Sequence, residues 1–211
     1  MAKASASYGP EDFQRDTSVS RETLERLKAY VDLLQRWNAK INLIGRASEA
    51  DLWRRHILDS VQIAPLVPAR TETLADLGAG AGLPGLILSI LNTPASIHLI
   101  EADRRKCAFL REAIRITQSP AIVHENRVEE VELPPQDVIV ARACAPLDRL
   151  LEMAQKLVSI HTVCIFPKGL RAEQELTEAR AHWNMRVRQV PSRTDPAGRI
   201  LVLTEVARVR A

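Results

Sequence analysis

The sequence predicts an α/β protein: a mostly parallel sheet ending in an antiparallel hairpin, preceded by a helical extension. Three observations carry this. From about Thr73, short apolar runs alternate with helical ones, the mark of βαβ units. A glycine-rich run, Asp76-Leu77-Gly78-Ala79-Gly80-Ala81-Gly82-Leu83-Pro84-Gly85, joins one apolar run to the next. Near the end, Thr194-Asp195-Pro196-Ala197-Gly198 separates two more apolar runs with turn residues.

Taken in order, residues 1–19 are polar and irregular and predict a frayed, flexible terminus. Residues 20–70 predict the helical extension. Ser20 is a good N-cap, and Leu24, Leu27, Val31, Leu34 and Trp37 recur at helical spacing. A second helix is expected from Ser48, with Leu52, Ile57, Val61 and Ile63 on its apolar side and Pro65 and Pro68 closing it. Residues 71–211 form the sheet domain. Its strands are expected at Thr73–Leu77, Ile97–Glu101, Ala121–His124, Asp137–Ala141 and Val163–Pro167, then near Arg186–Val190 and Arg199–Val206. Helices are expected at about Leu83–Leu91, Arg104–Thr117, Leu147–Val158 and Arg171–Ala181.

Composition narrows the class. At 211 residues, 46% hydrophobic and 26% charged, the chain suits one sizeable globular domain with a short extension. A net charge of +3 permits an anionic partner without demanding one. No apolar run approaches a membrane span, and no secretory signal is expected at the start. The three cysteines, Cys107, Cys144 and Cys164, match no metal spacing. Cys144 and Cys164 lie in apolar runs and read as small core residues, consistent with a reducing cytoplasm.

The glycine run carries the chemistry. Glycine accepts positive φ and lets backbone approach a ligand closely, and the following helix aims free N–H groups at it. Gly80 to Gly85 matches G-x-G-x-x-G, the dinucleotide fingerprint. Glu101, closing the second strand, suits ribose hydroxyls of either NAD or S-adenosylmethionine. Asp76 with Gly78, Gly80 and Gly82 makes D-x-G-x-G-x-G, the form typical of class I methyltransferases, and the terminal hairpin points the same way. The fold expected is therefore a Rossmann-like class I methyltransferase sheet, with an NAD-linked oxidoreductase as the rival.

Other strand ends add candidates. Asn126-Arg127-Val128-Glu129-Glu130 either borders an adenine through backbone groups at Val128 and Glu129 or is a solvated acidic loop. Arg142, ending the fourth strand, suits a carboxylate or phosphate in the cleft. Lys168 either meets substrate phosphate or is solvated.

With those residues in hand, the chain resembles the glucose-inhibited division protein B family, methyltransferases of small-subunit (16S) ribosomal RNA that modify guanine N7. The resemblance runs roughly from Leu24 to Val206. Its specific segments are Trp37-Asn38-Ala39-Lys40-Ile41-Asn42-Leu43-Ile44 and Arg55-His56-Ile57-Leu58-Asp59-Ser60. Arg127-Val128-Glu129-Glu130, Ala141-Arg142-Ala143 and Lys168-Gly169 extend it. It implies S-adenosyl-L-methionine as cofactor, with contacts at Gly78, Leu83, Val128, Glu129 and Arg142. Several relatives carry an aromatic residue where Leu83 stands. The position of Gly80 and Glu101 in the predicted fold adds those two.

Attack by guanine N7 needs no general base, because N7 carries an in-plane lone pair and no proton. Catalysis then rests on alignment. Lys168, His56 and Asn42 are the acceptor-side candidates, none as a proton shuttle. Lys40, Arg46, Arg54 and Arg55 of the extension suit RNA phosphates, while Trp37 and Trp53 suit core packing better than base stacking. The expected partner is small-subunit ribosomal RNA or the ribosomal subunit, met by a cytoplasmic monomer. A non-enzymatic RNA-binding assembly factor with a vestigial pocket is the second rival.

Overall fold

A computed structural model of the chain describes residues 8–93 and 95–209. Seven strands form one sheet: β1 (Thr73–Leu77), β2 (Ser96–Ile100), β3 (Ile122–His124), β4 (Val138–Val140), β5 (Val163–Lys168), β6 (Trp183–Pro191) and β7 (Arg199–Arg208). Their spatial order is β3-β2-β1-β4-β5-β7-β6. The first five run parallel, and β7 slots antiparallel between β5 and β6. The order turns back at β1 and β4, which opens a crevice at the carboxyl ends of those strands.

Alternation along the strands feeds two cores. Leu74 and Leu99 face α2 (Arg21–Asn38), α4 (Gly85–Ile90) and α5 (Arg104–Thr117), with Leu27, Leu86 and Phe109 fully buried between them. Ala75, Leu77, Ile139 and Phe166 face the other way, towards α6 (Leu147–Ala154) and α7 (Ala172–Ala179). Helix α2 starts where expected, with Ser20 Oγ accepting the Thr23 N–H at 3.0 Å.

Three expectations need correction. The terminus is not wholly frayed: α1 (Pro10–Thr17) is helical, with the Gly9 N–H donating to Asp12 and Phe13 fully buried against the Trp53 ring 5.4 Å away. One aromatic side chain with a surface to bury outweighs a polar neighbourhood. Residues 1–7 lie outside the described residues. The helix expected from Ser48 is irregular: a 3₁₀ segment Arg46–Asp51, a π-helical stretch Trp53–Leu58, then a single α turn, α3 (Asp59–Val61). The π stretch carries the site residues Arg55 and His56, and the Arg55 carbonyl accepts from the side chain of Arg142. Strand β6 begins at Trp183, where a bulge between Asn184 and Arg186 breaks the simple alternation.

Trp37 packs edge-on against Phe109 at 5.8 Å, and Trp53 against Phe13, so both are packing residues. Cys107 and Cys164 are buried free thiols, whereas Cys144 is half-buried beside the crevice.

Candidate active site: a glycine cradle beside an acceptor cleft

The cradle is the turn after β1. Gly78 and Gly80 have φ of +63° and +54°, conformations that side chains rarely adopt. At Gly78 there is no room either: a Cβ would lie 2.6 Å from Cys144 Sγ. Tyr30 fastens the turn from below, its hydroxyl donating to the Ala81 carbonyl at 2.6 Å. Glu101 is buried and held from two sides, by the Gly80 N–H at 2.9 Å and the Asp103 N–H at 2.8 Å. Each carboxylate oxygen thus keeps lone-pair capacity that a vicinal diol can fill.

Asp76 lies beneath the turn, fully buried. One oxygen accepts the Gly85 N–H at 2.8 Å; the other has no partner. Burial pushes its carboxyl up to about 7. An orphaned acidic oxygen under a backbone cradle is the environment that a cationic, ribose-bearing cofactor fits. Leu83 and Val128 are buried nearby. The Glu129 side chain turns away to Arg149 at 2.7 Å and its carbonyl accepts from Lys156, so what it offers a ligand is backbone N–H.

Beside the cradle opens a cleft of about 640 Å³, lined by the ends of β4 and β5, the π-helical stretch and the loop joining β6 to β7. Arg142 and Cys144 stand on its boundary with the cradle. Three of the five Arg142 N–H donors are engaged within the protein. Its guanidinium donates to Asp59 at 3.1 Å, to the Arg55 carbonyl at 3.1 Å and to His56 Nδ1 at 2.9 Å. Because arginine only donates, His56 Nδ1 accepts, and Nε2–H donates to Ser48 Oγ at 2.8 Å. Burial and the charges of Arg142 and Arg55 push His56 down to about 3, so it is neutral.

Lys168 is neither solvated nor free. It pairs with Glu175 at 2.8 Å and donates to the Ala145 carbonyl at 2.8 Å. Asn42 is not brought to the cleft: it lies with Lys40 in a separate notch beside Asp103, Arg105 and Lys106. Arg46, Arg54 and Arg55 are exposed, with Arg54 stacked over the Tyr8 ring at 4.8 Å and Arg55 lining the cleft.

Sequence reasoning missed Asp59, which anchors Arg142, and the cleft arginines Arg171 and Arg199. It read Thr194–Gly198 only as a turn, whereas that loop forms a wall of the cleft. The loop is tied to α3 and its flank: the Thr194 hydroxyl donates to Asp59, and the Arg193 N–H donates to Gln62 at 2.8 Å. The signal available was the placement of His56 and Asp59 within one specific segment.

The inserted β7, the glycine cradle and the diol-ready Glu101 define a Rossmann-like class I methyltransferase that uses S-adenosylmethionine. The chain belongs to the rRNA small subunit methyltransferase G family, whose model matches residues 23–198. The oxidoreductase alternative falls with the strand order and with that membership. The chain is 52% identical over 201 residues to the ribosomal RNA small subunit methyltransferase G of Rhodospirillum centenum, covering 95% of this chain and 93% of the relative. To that of Paramagnetospirillum magneticum it is 51% identical over 203 residues, covering 96% and 98%. Among solved structures, a SAM dependent methyltransferase from Aquifex aeolicus superposes with TM-score 0.56 at 13% identity, over 72% of this chain and 91% of that one. M. jannaschii TYW2 in complex with AdoMet gives TM-score 0.57 at 16% identity, over 81% and 80%. At those identities the two structures speak for the fold alone. No helix among the described residues is long and apolar enough to cross a membrane.

Proposed function

We propose that this protein transfers a methyl group from S-adenosylmethionine to N7 of a guanine in small-subunit (16S) ribosomal RNA. Family membership supports the substrate class. The observation that supports the acceptor atom is the engagement of the two polar groups nearest the cradle, His56 and Lys168; the Asp195 carboxylate, unpaired with any cation among the described residues, sits on the β6–β7 loop. His56 has each ring nitrogen in a hydrogen bond and Lys168 is ion-paired, so neither serves as general base. An exocyclic amine or a hydroxyl needs its proton removed; guanine N7 does not.

The cofactor supplies an electrophilic methyl on a sulfonium. Gly78, Gly80, Leu83, Glu101, Val128, Glu129 and Arg142 form its seat, with Glu101 receiving the ribose hydroxyls. Arg142, held by Asp59 and His56, is a rigid partition between that seat and the cleft. Its role is orientation, which shortens the reaction's search for the aligned geometry. Arg55, Arg171 and Arg199 face the cleft mouth and suit the phosphates flanking the acceptor. The extension, residues 20–70, carries Lys40, Arg46, Arg54 and Arg55 and is the RNA-facing part. One chain contains both seat and cleft, so a monomer suffices, and its substrate places it in the cytoplasm.

Mass-spectrometric mapping of ribosomal RNA from cells with and without this protein tests the reading. One 7-methylguanosine in the small-subunit RNA disappears with the protein; an unchanged modification map overturns it. The RNA-facing part has its own test. Arg54→Glu with Arg55→Glu weakens RNA binding and lowers the slope of log affinity against log salt by roughly 1.5–2. Affinity for S-adenosylhomocysteine stays as it was. Unchanged RNA affinity removes these arginines from the interface.

A further inference from the structure

We propose that Asp195, in the loop between β6 and β7, reads the acceptor base by accepting hydrogen bonds from guanine N1–H and the N2 amino group. The assignment rests on the guanine-N7 reading and names the residue that makes the site select guanine.

A guanine methylated at N7 turns its N7 edge to the cradle, the side bounded by Arg142 and Cys144. Its opposite edge, with the N1–H and N2–H donors, is then offered to the rest of the cleft lining, to which the loop from Ser192 to Arg199 contributes. Two adjacent donors call for a carboxylate. Three carboxylates line the cleft, and two of them are ion-paired. Asp59 receives Arg142, Gln62 and Thr194. Glu175 takes Lys168 and the Leu147 N–H on its Oε2, so its charge is already matched by a cation.

Asp195 is the third. One of its oxygens accepts the Ala197 N–H at 3.0 Å, and among the described residues no cation pairs with it and nothing donates to its other oxygen. It is half-buried rather than fully solvated.

The loop also fixes where that carboxylate points. The Asp195 N–H donates to Ser192 Oγ at 3.3 Å and its carbonyl accepts the Gly198 N–H at 2.9 Å. Gly198 is packed so tightly that a Cβ would lie 3.1 Å from Asp195 Cβ. The neighbouring Thr194 and Arg193 are pinned to Asp59 and Gln62. The acceptor is thus held by a rigid surround, as recognition by a single side chain requires. Adenine presents an acceptor at its N1, which a carboxylate repels, so the same group that selects guanine also excludes its commonest competitor.

The test pairs a protein change with deletion of a single amino group from the base. Small-subunit RNA is assembled with guanosine or with inosine, which lacks the N2 amino group, at the modified position. Methyl transfer (kcat/KM) to each is measured for the wild type and for Asp195→Asn. Asparagine retains an oxygen for the Ala197 N–H but places an amide N–H₂ against the donors of guanine. Wild type prefers guanosine to inosine by about tenfold or more, the discrimination expected of a good paired contact. Asp195→Asn methylates guanosine about tenfold more slowly and prefers neither base, while its affinity for S-adenosylhomocysteine is unchanged. A wild type indifferent to the amino group, or a variant that keeps the wild-type preference, overturns the assignment. The wild-type comparison needs no variant, and indifference there overturns the assignment even if Asp195→Asn folds poorly. Failure of the wild type to form 7-methylguanosine on the guanosine RNA is a separate result, and it overturns the N7 reading together with this one.

Discussion

The cradle and the cleft lie side by side yet are made differently. The cradle is backbone: positive-φ glycines, a helix start and a carboxylate held by two N–H groups. The cleft is side chain: Arg142 with Asp59, Lys168 with Glu175, and a hairpin loop pinned to Asp59 and Gln62. A backbone-made site tolerates little substitution at its glycines: at Gly80 the positive φ alone resists a side chain, and at Gly78 conformation and clearance fail together. A side-chain-made site is set by pairs, and each pair can be broken one partner at a time. The difference sets the size of effect expected on each side.

The largest effect belongs to Gly78. Gly78→Val puts a β-branched side chain at positive φ and drives it into Cys144 Sγ. Affinity for S-adenosylhomocysteine falls by about a hundredfold or more, near 3 kcal/mol, in a calorimetric titration. Gly78→Ala combined with Cys144→Ala sharpens the point: removing the sulfur relieves the 2.6 Å contact but leaves the φ cost, so part of the affinity returns. Wild-type affinity in Gly78→Val breaks the idea that backbone builds the cradle.

Next comes the cleft's buried pair. Arg142 and Asp59 are each 16% exposed, so Asp59→Ala leaves a guanidinium short of its counter-charge. A stability loss of about 3 kcal/mol is expected in urea unfolding, together with a fall in kcat larger than any change in cofactor affinity. The exposed pair Arg15–Asp12, with side chains 69% and 36% exposed, supplies the contrast. Breaking that one leaves the urea midpoint almost unchanged, because water and salt screen an exposed pair. Equal losses at the two pairs break the distinction.

The same contrast explains what the sequence disclosed. The glycines, Asp76 and Glu101 were legible because a backbone conformation demands particular residue types at fixed spacing. The sheet was legible down to its terminal hairpin because turn residues punctuate it. Phe13 was missed because one buried aromatic leaves no periodicity. Arg142 and Lys168 were found as residues but not as pairs: Asp59 lies 83 positions from Arg142 in the chain, and nothing local marks the partnership. Asn42 went astray for the converse reason. Its segment is specific, but the chain turns it to the notch beside Asp103 rather than to the cleft.

A pH-dependent effect crosses the boundary between the two regions and runs against intuition. Folding buries Asp76 and raises its carboxyl from 3.8 to about 7, so between those values the folded state holds a proton that the unfolded state has lost. Stability from this group therefore falls as pH rises through that window, and at pH 8 the charged form is at its most costly. His56 works in the opposite sense. Its folded value, about 3, lies below the ordinary 6.5, so its contribution is complete above 6.5 and drains away as pH falls towards 3. The two slopes oppose each other between about 3.8 and 6.5 and flatten the wild-type profile. Asp76→Asn removes one of them. A shift of about 3 units corresponds to about 4 kcal/mol, and the buried amide N–H₂ left without an acceptor takes back about 1–3. The variant should thus gain about 1–3 kcal/mol at pH 8 and lose up to about 2 at pH 4, where Asp76 is already neutral and the amide cost stands alone. Urea midpoints at the two pH values measure it, and an equal gain at both would show that Asp76 is ionised throughout. A stabilised protein that binds S-adenosylhomocysteine more weakly is the pattern expected if the orphaned oxygen is kept for the cofactor at the expense of the fold.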